Sequence, residues 1–299
     1  MTAPAGPDAV EPESGPHVHG SDAPGAWDLR RPEFPDPADP ELGSSAYAQA
    51  VRLGTTIETS GQGGWTRTRD YPPTVHGEVV QALDNVASVL AGAGASWDHV
   101  TAVHSYHVID RDWEAEVDAV MSAELRTRMP SHAPIWTRVG LPKLGPRMHV
   151  EVRVAAVAPQ GWSEMTRPEF FVTPGYGEAQ LARRYSSQAV RVGNRVETAG
   201  QGGWSDDGEF PEGRHDEIVQ AFDNVERTLR TAGASWTDVI SLQSYHTQLD
   251  DDEFGSMSGE LRARIPTHAP IWTAVVVSRL GYPKMRVEIA ATAIVGAGE

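Results

Sequence analysis

The chain has 299 residues, a formal charge of −16 and no cysteine. The length is enough for two domains of common size, and the missing cysteines exclude disulfides, thiol nucleophiles and cysteine-based zinc sites. An acidic surface repels phosphate backbones, so a nucleic-acid partner is not expected, and no apolar run reaches the length of a membrane span, so no membrane partner is expected either.

In chain order, the opening MTAPAGPDAVEPESGPHVHG lacks the basic start and apolar stretch of a secretory signal, and a cytoplasmic location is the expectation. Residues 1–45 hold nine acids against Arg30 and Arg31, with nine of the 22 prolines. Such a stretch buries little apolar area, and 1–26 reads as a disordered acidic tail. His17 and His19 within it make a weak metal candidate without rigid geometry. No metal and no cofactor is expected.

Residues 48–60 alternate, with β-branched content, and end at Gly61-Gln62-Gly63-Gly64, which predicts a hairpin and a turn. Residues 75–92 set Val79, Leu83, Val86 and Leu90 at helical spacing, and Gly92 and Gly94 stop that helix. Residues 99–109 read as a strand. Residues 112–129 place Trp113, Val117, Val120 and Leu125 on one helix face, ended by Pro130. Strands are expected at 134–141 and 147–158.

The same series then returns. QAVRLGTTIETSGQGGW at 49–65 matches QAVRVGNRVETAGQGGW at 188–204, QALDNV at 81–86 matches QAFDNV at 220–225, and HAPIWT occurs at 132–137 and 268–273. A period of this length marks a duplicated domain rather than a solenoid. The divisions expected are 27–158 for copy one, 159–184 for the linker and lead-in, and 162–295 for copy two. Each copy has the order β-β-α-β-α-β-β, an α+β module with a mixed sheet and two helices packed on one face. The other face needs a cover, and another copy is the natural one.

The ordered set Tyr47-Ala-Gln-Ala-Val, Thr59-Ser60-Gly61-Gln62, Gln81-Ala-Leu-Asp-Asn85-Val and Val150-Glu151-Val152, with its counterpart in copy two, resembles the RidA/YjgF family. The resemblance implies a chorismate-mutase-like fold, three modules meeting by their sheets, and sites in clefts between modules. Two modules do not close a three-fold ring, so a homo-oligomer is expected, most simply three chains with six modules. Family members hydrolyse enamines and imines. The resemblance assigns a water-positioning Glu to Glu151 and Glu288, a turn with ligand-facing backbone to Ser60-Gly61 and Ala199-Gly200, and a Tyr to Tyr47, whose slot in copy two is Ser186. The family's carboxylate-binding Arg falls at Thr137 and Thr273. Arg138 follows Thr137, where copy two has Ala274, but adjacent strand residues face opposite sides. A hydroxyl replaces a bidentate guanidinium poorly.

The candidate catalytic residues are therefore Glu151, Glu288, His107, His246 and Tyr47. A Glu within an apolar strand must be paired or in a site, and desolvation suits it to proton transfer. His107 and His246 offer the partner acid or base, or are structural strand histidines. The candidate substrate-binding residues are Ser60, Gly61, Trp65, Gly200, Trp204, His132, Trp136, Thr137, Arg138, His268, Trp272 and Thr273. The four tryptophans pack a core or face a flat ligand, and the two histidines line the cleft mouth or cap a helix end. Trp97 and Trp236 read as structural. The expected activity is cofactor-free acid–base chemistry on an imine, enamine or carbonyl of a small, partly aromatic substrate, as deamination or as the reverse condensation, with one kind of cleft active and the other supporting it. The rivals are a non-catalytic small-molecule binder using the same clefts and a ribonuclease, which the charge disfavours.

Overall fold

The computed structural model describes residues 47–108, 114–158 and 167–296, together with the short strands Val18–His19 and Trp27–Arg30. The readings of the acidic tail, of the metal candidate around His17 and of Trp113 lie outside the described residues.

Alternation and helical periodicity translate directly into elements. After β1 (Val18–His19) and β2 (Trp27–Arg30), copy one builds β3 (Ala50–Leu53), β4 (Thr56–Thr59), β5 (Gln62–Gly63), α1 (Val75–Gly92), β6 (Val100–Val108), α2 (Glu114–Arg128), β7 (Ile135–Leu141) and β8 (Val150–Val157). Copy two builds β9 (Glu169–Phe171), α3 (Tyr176–Arg184), β10 (Ala189–Val192), β11 (Arg195–Thr198), β12 (Gln201–Gly202), α4 (Arg214–Thr231), β13 (Val239–His246), α5 (Asp251–Arg264), β14 (Ile271–Val276) and β15 (Val287–Ile294). Each copy is an α+β module. The stretch read as linker and lead-in carries β9 and α3, elements that its composition did not announce.

The first sheet runs β1-β2-β3-β4-β8-β6-β7 and the second β14-β13-β15-β11-β10-β9, with β5 on β8 and β12 on β15. β6–β7 and β13–β14 are parallel pairs, and the remaining pairs are antiparallel. β7 and β14 are thus equivalent edge strands. In copy one Val79, Leu83, Val86 and Leu90 of α1 are fully buried against Val103, Val150, Val152 and Val154. Thr74 caps that helix by accepting the Gly77 N–H at 3.1 Å. Trp97 and Trp236 join the two helix-side cores.

The sheet faces turned away from the helices meet each other. Ala102 and Ile135 of module 1 pack on Val190 and Ala199 of module 2, and Val139 joins Trp204, Tyr245 and Leu280. The edge of β7 is tied down along its length. Ser187 N–H donates to Pro134 O at 2.9 Å, and Gly140 N–H donates to Arg279 O at 2.8 Å. Among the described residues no such cover reaches β14: Ile271 is 75% exposed where Ile135 is 4% exposed, and Val275 and Val276 are also open.

Candidate functional site

The docked edge of β7 and the glycine turn of module 2 form one complete cleft. It is lined by Trp136 and Arg138 of β7, Gln180 and Arg184 of α3, Ser186, Ala199, Gly200, Trp204, and Glu288 of β15. Its free volume is about 20 Å³, room for a single water molecule.

Glu288 is the one acid among the residues lining this cleft. It is 5% exposed, and its Oε2 has no hydrogen-bond partner. Burial pushes its carboxyl up to about 7, although the Arg184 and then the Arg138 guanidinium pull the other way. The carboxylate lies against the turn: a Cβ on Gly200 would stand 1.8 Å from Glu288 Oε1, and one on Gly61 would stand 1.7 Å from Glu151 Oε1. These glycines are required for close approach. Gly200→Ala is therefore expected to swing the carboxylate out and lower any Glu288-dependent turnover about 10²-fold, the scale of a 1 Å misplacement. Gly255→Ala, in α5, adds a Cβ that meets nothing within 4 Å and should leave the rate unchanged; steady-state kinetics on both variants checks this.

The rest of each turn is held by side chains that the repeat motif contains without revealing their purpose. Asn224 Nδ2 donates to Gly202 O at 2.7 Å and to Trp204 O at 2.8 Å. Asn85 does the same for Gly63 and Trp65. Buried Glu217 accepts the Arg286 N–H at 2.7 Å, and buried Glu78 accepts the His149 N–H at 2.6 Å. Each helix thus clamps both the turn and the start of the strand that carries the Glu.

Thr137, in the slot the resemblance gives to an Arg, accepts the Gly200 N–H at 3.0 Å. The expectation that this amide faces a ligand oxygen is corrected: a side-chain hydroxyl of the neighbouring module already occupies it. Arg138 sits on the helix side of β7, as alternation requires, but β7 is an edge strand. Its guanidinium pairs with Asp118 of α2, donates to Gly281 O at 3.0 Å and still lines the cleft. No bulge is needed, because a long side chain at an edge reaches round it.

The histidines are not where the expected Glu–His pairing needs them. Tyr106 lies opposite Glu151 and His107 opposite Val150; Tyr245 lies opposite Glu288 and His246 opposite Val287. With period-two alternation the glutamates face the neighbouring module and the histidines face the helices. His107 is 3% exposed, with neither ring nitrogen hydrogen-bonded, beside Val117 and Arg138. Burial, helped by Arg138, holds it neutral well below its ordinary range. His246 pairs with Ser244 Oγ at 2.9 Å, and burial lowers it to about 4. His132 and His268 are also outside the cleft. Their Nε2 atoms bond Val100 O at 2.8 Å and Val239 O at 2.6 Å, tying each loop to the start of the central strand.

The tryptophans split. Trp136 lines the cleft while its Nε1 donates to Ser105 Oγ at 2.8 Å. Trp204 lines it from a cluster with Tyr176, Phe210 and Tyr282. Trp65 does not line the cleft. Trp272 repeats the indole bond, to Ser244 at 2.9 Å, and stacks on Phe254. The second set of candidates remains in two halves. Tyr47 (64% exposed), Ser60, Gly61 and half-buried Glu151 stand on module 1, and exposed Thr273 stands on the open edge of module 2. Burial raises the Glu151 carboxyl as well. Gln180, Arg184 and Tyr282 were missed because α3 and the loop after β14 have no motif to mark them. Only the amphipathic run 176–184 offered a signal.

Among the described residues no group of three or more His, Asp or Glu gathers as a metal site, and no helix is long and apolar enough to cross a membrane. The family model described as Endoribonuclease L-PSP matches residues 41–158 and again 177–295. The chain belongs to this RidA/YjgF family, in tandem duplicate. The RutC family protein YjgH of Escherichia coli strain K12 is 31% identical over 111 residues, 36% of this chain and 83% of that protein. The solved structure of protein YJGH is 27% identical, covering 44% of this chain and 96% of its own, with a TM-score of 0.39. The RidA crystal structure from the Antarctic bacterium Psychrobacter sp. PAMC 21119 is 32% identical, covering 36% and 87%, with a TM-score of 0.34. These shares correspond to one RidA-like module of the two.

Proposed function

We propose that the inner cleft is a cofactor-free acid–base site acting on the C=N or C=O group of a small, partly aromatic metabolite, in hydrolysis and deamination or in the reverse condensation or cyclisation. The observation that carries this is Glu288: a buried carboxyl near neutrality, one oxygen unpartnered, beside room for one water. Such a group is matched to both proton acceptance and donation near pH 7. Ionised Glu288 takes a proton from the water as its oxygen bonds to the imine carbon. The protonated carboxyl returns that proton to the nitrogen, giving a carbinolamine; Glu288 then takes the new hydroxyl's proton and delivers it to the nitrogen as the C–N bond breaks, so that ammonia or an amine leaves and a carbonyl remains. The cleft as it stands holds the water alone, so the substrate must displace the flanking Trp136 or Trp204 side chain to bring its C=N or C=O against that water, with Arg138 and Arg184 biasing its charge. His107 and His246 support the sheet from its other face.

The same reading makes the protein an oligomer. Open β14 matches β7 in sequence, and the Glu151 half-cleft matches the turn that β7 covers. A β14 from a second chain completes the Glu151 cleft, which then contains Trp272, Thr273 and Ala274 but no arginine from that strand. The two clefts are unequal, with the Glu288 cleft the active one. Three chains with six modules remain the assembly proposed.

The competing reading is a binding protein that uses the same cleft for a small aromatic ligand; its nearly closed volume favours capture over rapid exchange. A turnover screen on imines and enamines, run beside a thermal-shift screen on the same compounds, separates the two. Ammonia or carbonyl release supports the enzyme, and stabilisation with no turnover of any stabilising compound replaces it with the binder.

A further inference from the structure

A hollow of about 630 Å³, lined only by residues of module 2, adjoins the Glu288 cleft. Gln180, Trp204 and Tyr282 line both spaces. Small-molecule sites span roughly 300–1,000 Å³, so the hollow has the room that the cleft lacks. Its wall holds four rings. Trp204 sits among Tyr176, Phe210 and Tyr282, with centroids 5.6, 6.3 and 5.6 Å away and planes inclined at 71°, 87° and 60°. Phe210 and Tyr282 are 6.0 Å apart at 53°. None of these pairs is stacked, so the rings do not cover one another's faces. Arg227 lies over the ring of Tyr176 and Arg184 over that of Tyr282.

Half of this wall comes from the repeat and half does not. Trp204 and Phe210 match Trp65 and Tyr71, on a turn closed alike in both copies: Thr66 N–H donates to Asp70 O and Ser205 N–H to Glu209 O, each at 2.8 Å. Tyr176 belongs to α3, which has no described counterpart in copy one. Leu144-Gly145-Pro146-Arg147-Met148 of copy one becomes Leu280-Gly281-Tyr282-Pro283-Lys284-Met285 in copy two, one residue longer, and Tyr282 stands in the lengthened stretch. Both additions bring a ring to Trp204, beside the Glu288 cleft. The wall between hollow and cleft is also free to open. Trp136 Nε1 donates to Ser105, whereas Trp204 Nε1 has no hydrogen-bond partner, so turning the Trp204 ring breaks no indole hydrogen bond.

We propose that this hollow seats the aryl group of the ligand, a flat ring of one or two cycles, and that Trp204 turns aside to let the group attached to that ring reach Glu288. The second half rests on the acid–base reading above. Edge-to-face and offset contacts give an aromatic ring more than an aliphatic group of the same size gains there.

The test titrates 2-naphthol and its saturated analogue decahydro-2-naphthol calorimetrically into the full-length protein. The expected result is saturable binding of 2-naphthol, about fivefold or more tighter than the analogue. Binding should weaken about tenfold in Phe210→Leu/Tyr282→Leu, which keeps apolar bulk and removes two rings. Ala179→Trp, at an exposed position of α3 that lines the hollow, keeps all four rings, fills the space and should weaken binding as much. If the double variant melts lower than the parent, Ala179→Trp decides alone. No saturable binding to the parent, equal binding of the two probes, or unchanged affinity in a variant that melts like the parent overturns the proposal. The readout needs no turnover. Expected binding by a protein that converts no imine refutes only the acid–base reading, and imine turnover without 2-naphthol binding refutes only the aryl seat.

Discussion

Replacing Glu288 by Gln is expected to lower turnover about 10²–10⁴-fold, the share of a positioned acid–base group, while making the fold more stable at pH 8 by about 3 kcal/mol. Glu288 keeps its proton up to about 7, against 4.5 for an ordinary glutamate. The folded state therefore binds this proton more tightly than the unfolded chain does. The resulting stabilisation is fully present below about 4.5 and is lost as the pH rises to about 7. Above that, an ionised carboxylate stays buried at 5% exposure with one oxygen unbonded. Gln has the same shape and no charge, so its advantage appears at pH 8 and vanishes near pH 4. Urea denaturation at the two pH values, beside initial rates at pH 7, measures both effects. An equal stability change at both pH values would show that the carboxyl is not held near neutrality. Glu151→Gln should keep most of the activity, and equal losses in the two variants would remove the inequality of the clefts.

The second large effect concerns assembly. Ile271→Asp is expected to weaken association between chains by about three orders of magnitude while leaving each chain folded. Ile135, its counterpart, is 4% exposed inside the chain's own module contact, and in the proposed assembly Ile271, 75% exposed in the single chain, takes the same role against a second chain. Losing that burial removes about 2–3 kcal/mol. An aspartate forced into the same apolar contact adds the cost of an unpaired buried charge, several kcal/mol. Together these reach the ~4 kcal/mol that three orders of magnitude require. Sedimentation velocity across a concentration series reads the change. Identical distributions for parent and variant, or a parent that stays a single chain throughout, would exclude β14 as the interface. Ile135→Asp should instead damage the fold itself, seen as a lower melting temperature at every concentration.

The strands and helices of both modules were legible because the patterns are strong: period two at 48–60, helical spacing at 75–92, and nearly everything written twice. The glutamates were legible too, since an acid in an apolar strand needs a reason. Pairing them with His107 and His246 ignored parity. Tyr106 and His107 are neighbours on one strand, so they cannot both face Glu151, and the antiparallel register gives that face to Tyr106. Arg138 posed the opposite problem. Parity sets it on the helix side, but the sequence does not reveal that β7 is an edge, where a long side chain escapes its face. The contribution of α3 was hidden because, unlike β9, which lies on β10 as β2 lies on β3, α3 has no described counterpart in copy one, and only what is repeated stands out in a duplicated sequence. Thr137 was recognised as a departure, yet its partner, the Gly200 amide, belongs to the other module and is 63 residues away.

The in-chain docking of β7 also governs how the protein behaves on dilution. Both walls of the Glu288 cleft are on one polypeptide, so that cleft closes in a unimolecular step, at an effective concentration set by the connecting chain rather than by the solution. In the proposed assembly the Glu151 cleft has no such tether and would lose its partner strand as chains become scarce. In the proposed enzyme, the rate per chain should therefore stay constant far below the concentration at which the assembly falls apart. In a ring of separate single modules every site would be lost with the ring.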